Sequence, residues 1–218
     1  IVLLALIAAF LGMRLYSVLG KRTGHEQEPV LPRRDDPRGA AAAPRLADAQ
    51  AAPNAQDIAA VAAAVVYEPQ AEAGLRQLLA RDPQFDVGQF MEGAEAAYGM
   101  ILEAYWKGDR ETLRDLCDDD SYGAFVLAIV DRETRGEKLD NRLIGMDSAK
   151  IADVTLVGDE ARITVHYRAD ISGVTRDAND VMIAGSMSDA TQTNDMWTFR
   201  RVIGSRDPNW LLDEAEAV

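Results

Sequence analysis

The period of the apolar pattern changes once along this chain, and that change restricts the fold more than any other feature. Between residues 75 and 136 apolar side chains recur three and four residues apart; from about residue 150 they recur at every second position. Leu75, Leu78 and Leu79 predict a short helix that Asp82-Pro83 breaks. Asp86 is placed to cap a long helix carrying Val87, Phe90, Met91, Ala94, Tyr98, Ile101, Leu102 and Tyr105, which Gly108 stops. Asp109 caps a shorter helix with Leu113 and Leu116. A further helix follows Asp118, Asp119 and Asp120, with Tyr122, Phe125, Val126, Ile129 and Val130 as its apolar stripe and Gly136 at its end.

Beyond it, residues 150–157 are rich in β-branched types. Residues 160–170 alternate, with Ile163, Val165 and Tyr167 on one face and Thr164, His166 and Arg168 on the other. Residues 196–203 and 210–212 read as further strands, separated by a turn at 205–209. Helices first and antiparallel strands afterwards imply an α+β domain, with the helices packed on one face of a curved antiparallel sheet. Nearly all aromatic residues lie beyond position 84, so the core belongs there. The folded domain is expected over residues 71–218.

The N-terminal third has another character. Residues 1–13 carry no charge, and the apolar stretch reaches residue 20 if Arg14 extends toward a headgroup region. A buried core helix is not followed by a long polar segment, and a signal peptide carries its positive charge before the apolar run. Residues 1–20 are therefore expected to be a retained membrane anchor, continued upstream of Ile1. Arg14, Lys21 and Arg22 form a membrane-proximal basic group that, with Arg33 and Arg34, puts the following chain on the cytoplasmic side of a bacterial inner membrane, or on the matrix side in a mitochondrion. Residues 21–70 are rich in Pro and Ala and read as a disordered tether. Within them the Ala-Val run at 58–66 reads as a marginal helix, or as a segment lying on the membrane or on the domain.

Charge narrows the partners. From residue 84 onward there are 27 acidic and 14 basic residues, so the net charge of −13 belongs to the domain. Such a surface repels phosphate backbones, which excludes nucleic acid as the expected partner.

The sequence contains no nucleophile elbow, HExxH, glycine-rich phosphate loop or CxxC pair. Neither catalysis nor a cofactor or metal site is expected. Cys117 lies beside three aspartates that disfavour its thiolate. Asp195 shares strand parity with Trp197 and Phe199. It is either a strand-end carboxylate near solvent or an inward carboxyl of the kind that serves as a general base. Tyr98, Leu102, Phe125, Ile129, Trp197, Phe199 and Trp210 are core by default and form the candidate apolar pocket if sheet and helices leave a cavity between them.

An ordered series of segments carries a resemblance. It comprises ARDPQFD at 80–86, FMEGA at 90–94, Ala97-Tyr98, Gly108-Asp109, Tyr122 with Phe125, ARITV at 161–165, DMWTFR at 195–200 and RDPNWL at 206–211. In that order they resemble the Tim-forty-four-like (Tim44-like) domain family, which includes a mitochondrial inner-membrane translocase tether and bacterial TimA-type adaptors. The resemblance implies a nuclear-transport-factor-two-like cone with a large apolar pocket. It also implies inner-membrane association, anionic lipid as a further partner, and an adaptor role in protein transport or membrane-complex assembly. No catalytic residues come with it, and chaperone recruitment is not carried over to so short a linker. The expected function is a membrane-tethered adaptor binding a membrane protein, a protein complex or lipid. The alternative is an apolar-ligand carrier or enzyme using the pocket of the same fold.

Overall fold

The computed structural model describes residues 67–218. The anchor at 1–20, its basic group Arg14, Lys21 and Arg22, and the tether up to residue 66 lie outside the described residues. The last residues assigned to the tether, 67–70, are built into the domain. Tyr67 forms a parallel bridge with Ile151, the Glu68 amide donates to the Ile151 carbonyl at 2.8 Å, and a short 3-10 turn spans Pro69–Ala71.

Four helices follow. Helix α1 (Glu72–Arg81) buries Leu75 and Leu78 and leaves Leu79 exposed. Gly74 lets it seat on the sheet, because a Cβ there would stand 1.9 Å from the Val154 carbonyl oxygen. Helix α2 (Val87–Lys107) starts where the Asp86 carboxylate accepts the Gln89 amide at 2.8 Å. It ends where Gly108 turns left-handed at φ 75°, a conformation that costs glycine little. Helix α3 (Arg110–Leu116) is capped by Asp109, and α4 (Asp119–Thr134) by Asp118, which accepts the Ser121 amide at 2.8 Å. Asp86 and Asp109 cap where the sequence places them, whereas Asp118, read only as part of an acidic run ahead of the last helix, is a third cap and that helix begins inside the run.

The α4 stripe is rotated from the expected one. Phe125 and Ile129 are buried as predicted, but Val130 is exposed, and Ser121, Ala124 and Arg132 complete the buried face. Arg132 is drawn in by the Tyr105 carbonyl, to which it donates at 3.1 Å, and by the Tyr105 ring.

The strands β1 (Lys138–Val157), β2 (Glu160–Arg176), β3 (Met182–Val202) and β4 (Leu211–Ala217) form one antiparallel sheet in that order. The sequence locates each strand but captures only part of each: the first three continue for 6–14 residues beyond the segments read, and the fourth for five. Register shifts in β1 after Leu143, Met146 and Ile151 bend the sheet around the helices. The expected α+β class and the arrangement of helices on a curved antiparallel sheet are both present.

One face of the sheet makes the core. Ala161, Ile163, Val165, Tyr167 and Ala169 of β2 are fully buried, with Trp197 and Phe199 opposite Val165 and Ile163 on β3. Against them pack Leu75, Leu78, Phe90, Ile101, Tyr98 and Ile129 from the helices. At the sheet end nearest α4, Arg162 and Arg200 bridge Asp118, Glu160 and Asp213, joining four elements.

Candidate functional site

The seven residues of the expected apolar pocket lie in a closed core. Tyr98 and Ile129 are completely buried, and Phe125, Trp197 and Phe199 are 7%, 5% and 1% exposed. Only Leu102 and Trp210 are partly exposed. Rings fill the space between them. Tyr98 stacks on Tyr167 at 4.4 Å and meets Trp197 at 4.6 Å. Phe90 joins Phe199 at 6.2 Å to Trp210 at 4.9 Å, and Tyr105 covers Phe125 at 5.5 Å. Contacts at these separations are ordinary ring packing. The residues hold the helices on the sheet, and none of them lines the cleft described below.

Four polar groups sit inside this core: the Asp195 carboxyl and the hydroxyls of Tyr98, Thr193 and Tyr167. Asp195 faces inward, as its parity with Trp197 allows, and is 7% exposed. The Tyr98 hydroxyl donates to its Oδ2 at 2.7 Å and lies 3.2 Å from the Thr193 hydroxyl, which itself donates to the Ala169 carbonyl at 3.1 Å. The Tyr167 hydroxyl donates to the Ala94 carbonyl at 2.9 Å, and burial pushes its pKa well up. Of the two readings of Asp195, the inward one describes its position.

Cys117 is an inert thiol for a different main reason from the one read in the sequence. Burial, and secondarily the Asp118 carboxylate, push its pKa up to about 12. His166 is on the face opposite the core, as expected, with Nδ1 3.0 Å from Glu68 Oε1 and Nε2 3.3 Å from Asn194 Oδ1. Among the described residues no three His, Cys, Asp or Glu side chains are grouped to hold a metal ion. No helix among them is long and apolar enough to cross a membrane.

A cleft of about 580 Å³ opens between the second half of α2 and the start of β1. Helix α2 supplies Gly99, Met100, Glu103, Trp106 and Lys107; β1 supplies residues 139–143. Met100, Trp106, Leu139 and Leu143 give it apolar walls, while Glu103, Lys107, Asp140 and Arg142 put both signs of charge on its rim. Gly99 widens the helix side, since a Cβ there would reach Leu143 at 3.7 Å. Sequence reasoning missed this site because its two walls lie some forty residues apart and β1 was not read that far back. Gly99 followed by an unassigned Trp106, seven residues along the same helix, is the one local sign of it.

The family model of the Tim44-like domain matches residues 71–217. A mitochondrial import inner membrane translocase subunit, TIM44-1 of Arabidopsis thaliana, is 23% identical over 127 residues, which is 58% of this chain and 27% of that protein. The chain therefore spans about a quarter of the length of that relative. Among solved structures, the intermembrane space region of chloroplast protein ARC6 aligns with a TM-score of 0.44 at 14% identity, over 62% of this chain and 98% of that one. An NTF2-like family protein from Streptomyces avermitilis aligns with a TM-score of 0.36 at 18% identity, over 58% and 93%.

Proposed function

The chain belongs to the Tim44-like domain family, and from that premise we propose that it is a membrane-tethered, non-enzymatic adaptor. Its folded domain takes a segment of a protein partner into the cleft between α2 and β1, at an inner membrane, in the service of protein transport or membrane-complex assembly. The observation that carries this reading is the lining of the cleft. Apolar walls with a rim of both charge signs suit an amphipathic polypeptide segment, whose side chains alternate between the two. A domain with an excess of acidic residues is repelled by an anionic bilayer, which favours a protein over a lipid surface as its occupant.

The test is capture of partners from membrane extracts by the full chain at low salt. A reproducible partner is expected, and Trp106→Ala is expected to weaken its capture by about tenfold, as truncating a central aromatic anchor typically does. An empty capture, or one indifferent to both Trp106→Ala and Met100→Asp, would count decisively against the proposal.

The carrier alternative has one observation in its favour. A cleft of about 580 Å³ falls within the roughly 300–1,000 Å³ range of small-molecule sites. It predicts a co-purifying apolar ligand in native mass spectrometry that Leu143→Asp removes. Trp197→Ala and Phe199→Ala do not discriminate, because both open the packed core.

A further inference from the structure

We propose that the free edge of β1 pairs with the same edge of a second copy of this chain, antiparallel and centred on Asn141. The strand order leaves β1 at one side of the sheet. Its outer edge is occupied at Ile151 by Tyr67 and Glu68, and next to it α1 comes down on the Val154 carbonyl at Gly74. From residue 138 to residue 150 that edge accepts and donates no backbone hydrogen bond among the described residues. A strand edge left in this state is a template for another strand. The register shifts after Leu143 and Met146 interrupt it, so the regular stretch that a partner strand can follow is 138–143.

The sequence of that stretch selects its occupant. Residues 139–143 read Leu-Asp-Asn-Arg-Leu. Turned antiparallel on itself about Asn141, this segment sets Leu139 opposite Leu143 and Asp140 opposite Arg142, each pair twice by symmetry, with Asn141 opposite itself on the axis. The pairs also sort by face. Leu139 and Leu143 lie opposite Thr175 and Ile171 of β2 and share one face, while Asp140 and Arg142 lie opposite Val174 and Ser172 and share the other, all four bordering the cleft. Asp140 and Arg142 are exposed and make no ion pair among the described residues. Opposite-charge and apolar pairs directly across two strands stabilise a sheet, and like charges directly opposite disfavour it.

Neighbouring registers lose this match. Centred on Asp140, the pairing opposes Asp140 to itself and Lys138 to Arg142. Centred on Arg142, it opposes the two guanidinium groups. Centred on Leu139, it sets Arg142 against Gly136, beyond the end of the strand. One register satisfies both charges, so the edge specifies its own partner. The paired edges set the two clefts side by side across the twofold axis, each still bounded by its own α2.

The experiment is light scattering of the full chain across a concentration series in a neutral detergent, with four proteins. The unmodified chain is expected to dimerise. Asp140→Arg and Arg142→Asp are each expected to weaken self-association by at least about tenfold, since each places like charges opposite one another. The double variant carrying both changes is expected to dimerise as the unmodified chain does, and circular dichroism confirms that all four are folded. A monomer at the highest soluble concentration overturns the proposal. So does a dimer that neither single change weakens, because it then uses another surface, and so does a folded double variant that stays monomeric.

Discussion

The sheet has two halves that share strands and hydrogen bonding but differ in what lies against them. In the half made by residues 151–157 of β1, 160–169 of β2 and 193–202 of β3, one face is covered by α1, α2 and α4. There Ile163, Val165, Tyr167 and Ala169 are all 0% exposed. Over the other half, made by 138–149, 172–176 and 182–192, the helical cover thins to α2, which meets β1 across the cleft. There Ile144, Met182 and Ile183 are 54%, 54% and 50% exposed. The backbone ladder runs through both, with register shifts near their junction at Ile151 and Ile171. Pairing is thus enough to extend strands, whereas a buried face is what makes individual side chains indispensable.

That contrast can be broken by mutation. Phe199→Ala is expected to destabilise the domain by about 3–5 kcal/mol, the usual cost of truncating a buried aromatic, measured by urea denaturation. Tyr98→Phe keeps the ring stack but removes a donor from the buried Asp195, and about 1–3 kcal/mol is expected in the same assay. If both changes prove neutral, the covered half is not the stabilising one.

Cys117 gives a pH handle on that same half. In the unfolded chain its thiol ionises near the ordinary value of about 8.5, but in the native protein only near 12. Its contribution is therefore intact below about pH 8.5 and falls by about 1.4 kcal/mol per pH unit above it, until the folded value is reached. Cys117→Ala should show a correspondingly flatter loss of stability between pH 9 and 11 than the unmodified chain. The smallest effects belong to the exposed stretch of β3 in the other half. Ile183→Ala and Met187→Ala should each shift stability by less than about 0.5 kcal/mol, as exposed positions do.

The same contrast explains what could be read from the sequence. Alternation at 160–170 was legible because burial on one side demands it. The continuation of β1 back to Lys138 and of β3 back to Met182 was not, because the first meets only α2 across the cleft and the second is mostly exposed. Helix ends were the clearest feature. Asp86 and Asp109 each satisfy amides within the next three residues, so the signal is local. The inward turn of Asp195 followed from strand parity, but its donor Tyr98 stands 97 residues away and has no local signature. The cleft was illegible for the same reason: Trp106 and Leu139 become neighbours only after α2 has been laid along β1.

The entry point of the chain has a mechanical consequence. Tyr67 and Glu68 join the domain by parallel pairing at Ile151, in the interior of a twenty-residue strand, and Glu68 also reaches His166 on β2. A pull arriving along the preceding chain is delivered to the sheet first and to α1 only afterwards. Pulled along the β1 direction, the bridge and the strands behind it are loaded in shear, with their hydrogen bonds resisting together. A load delivered at this point is borne by the sheet while the helical layer and the cleft keep their shape.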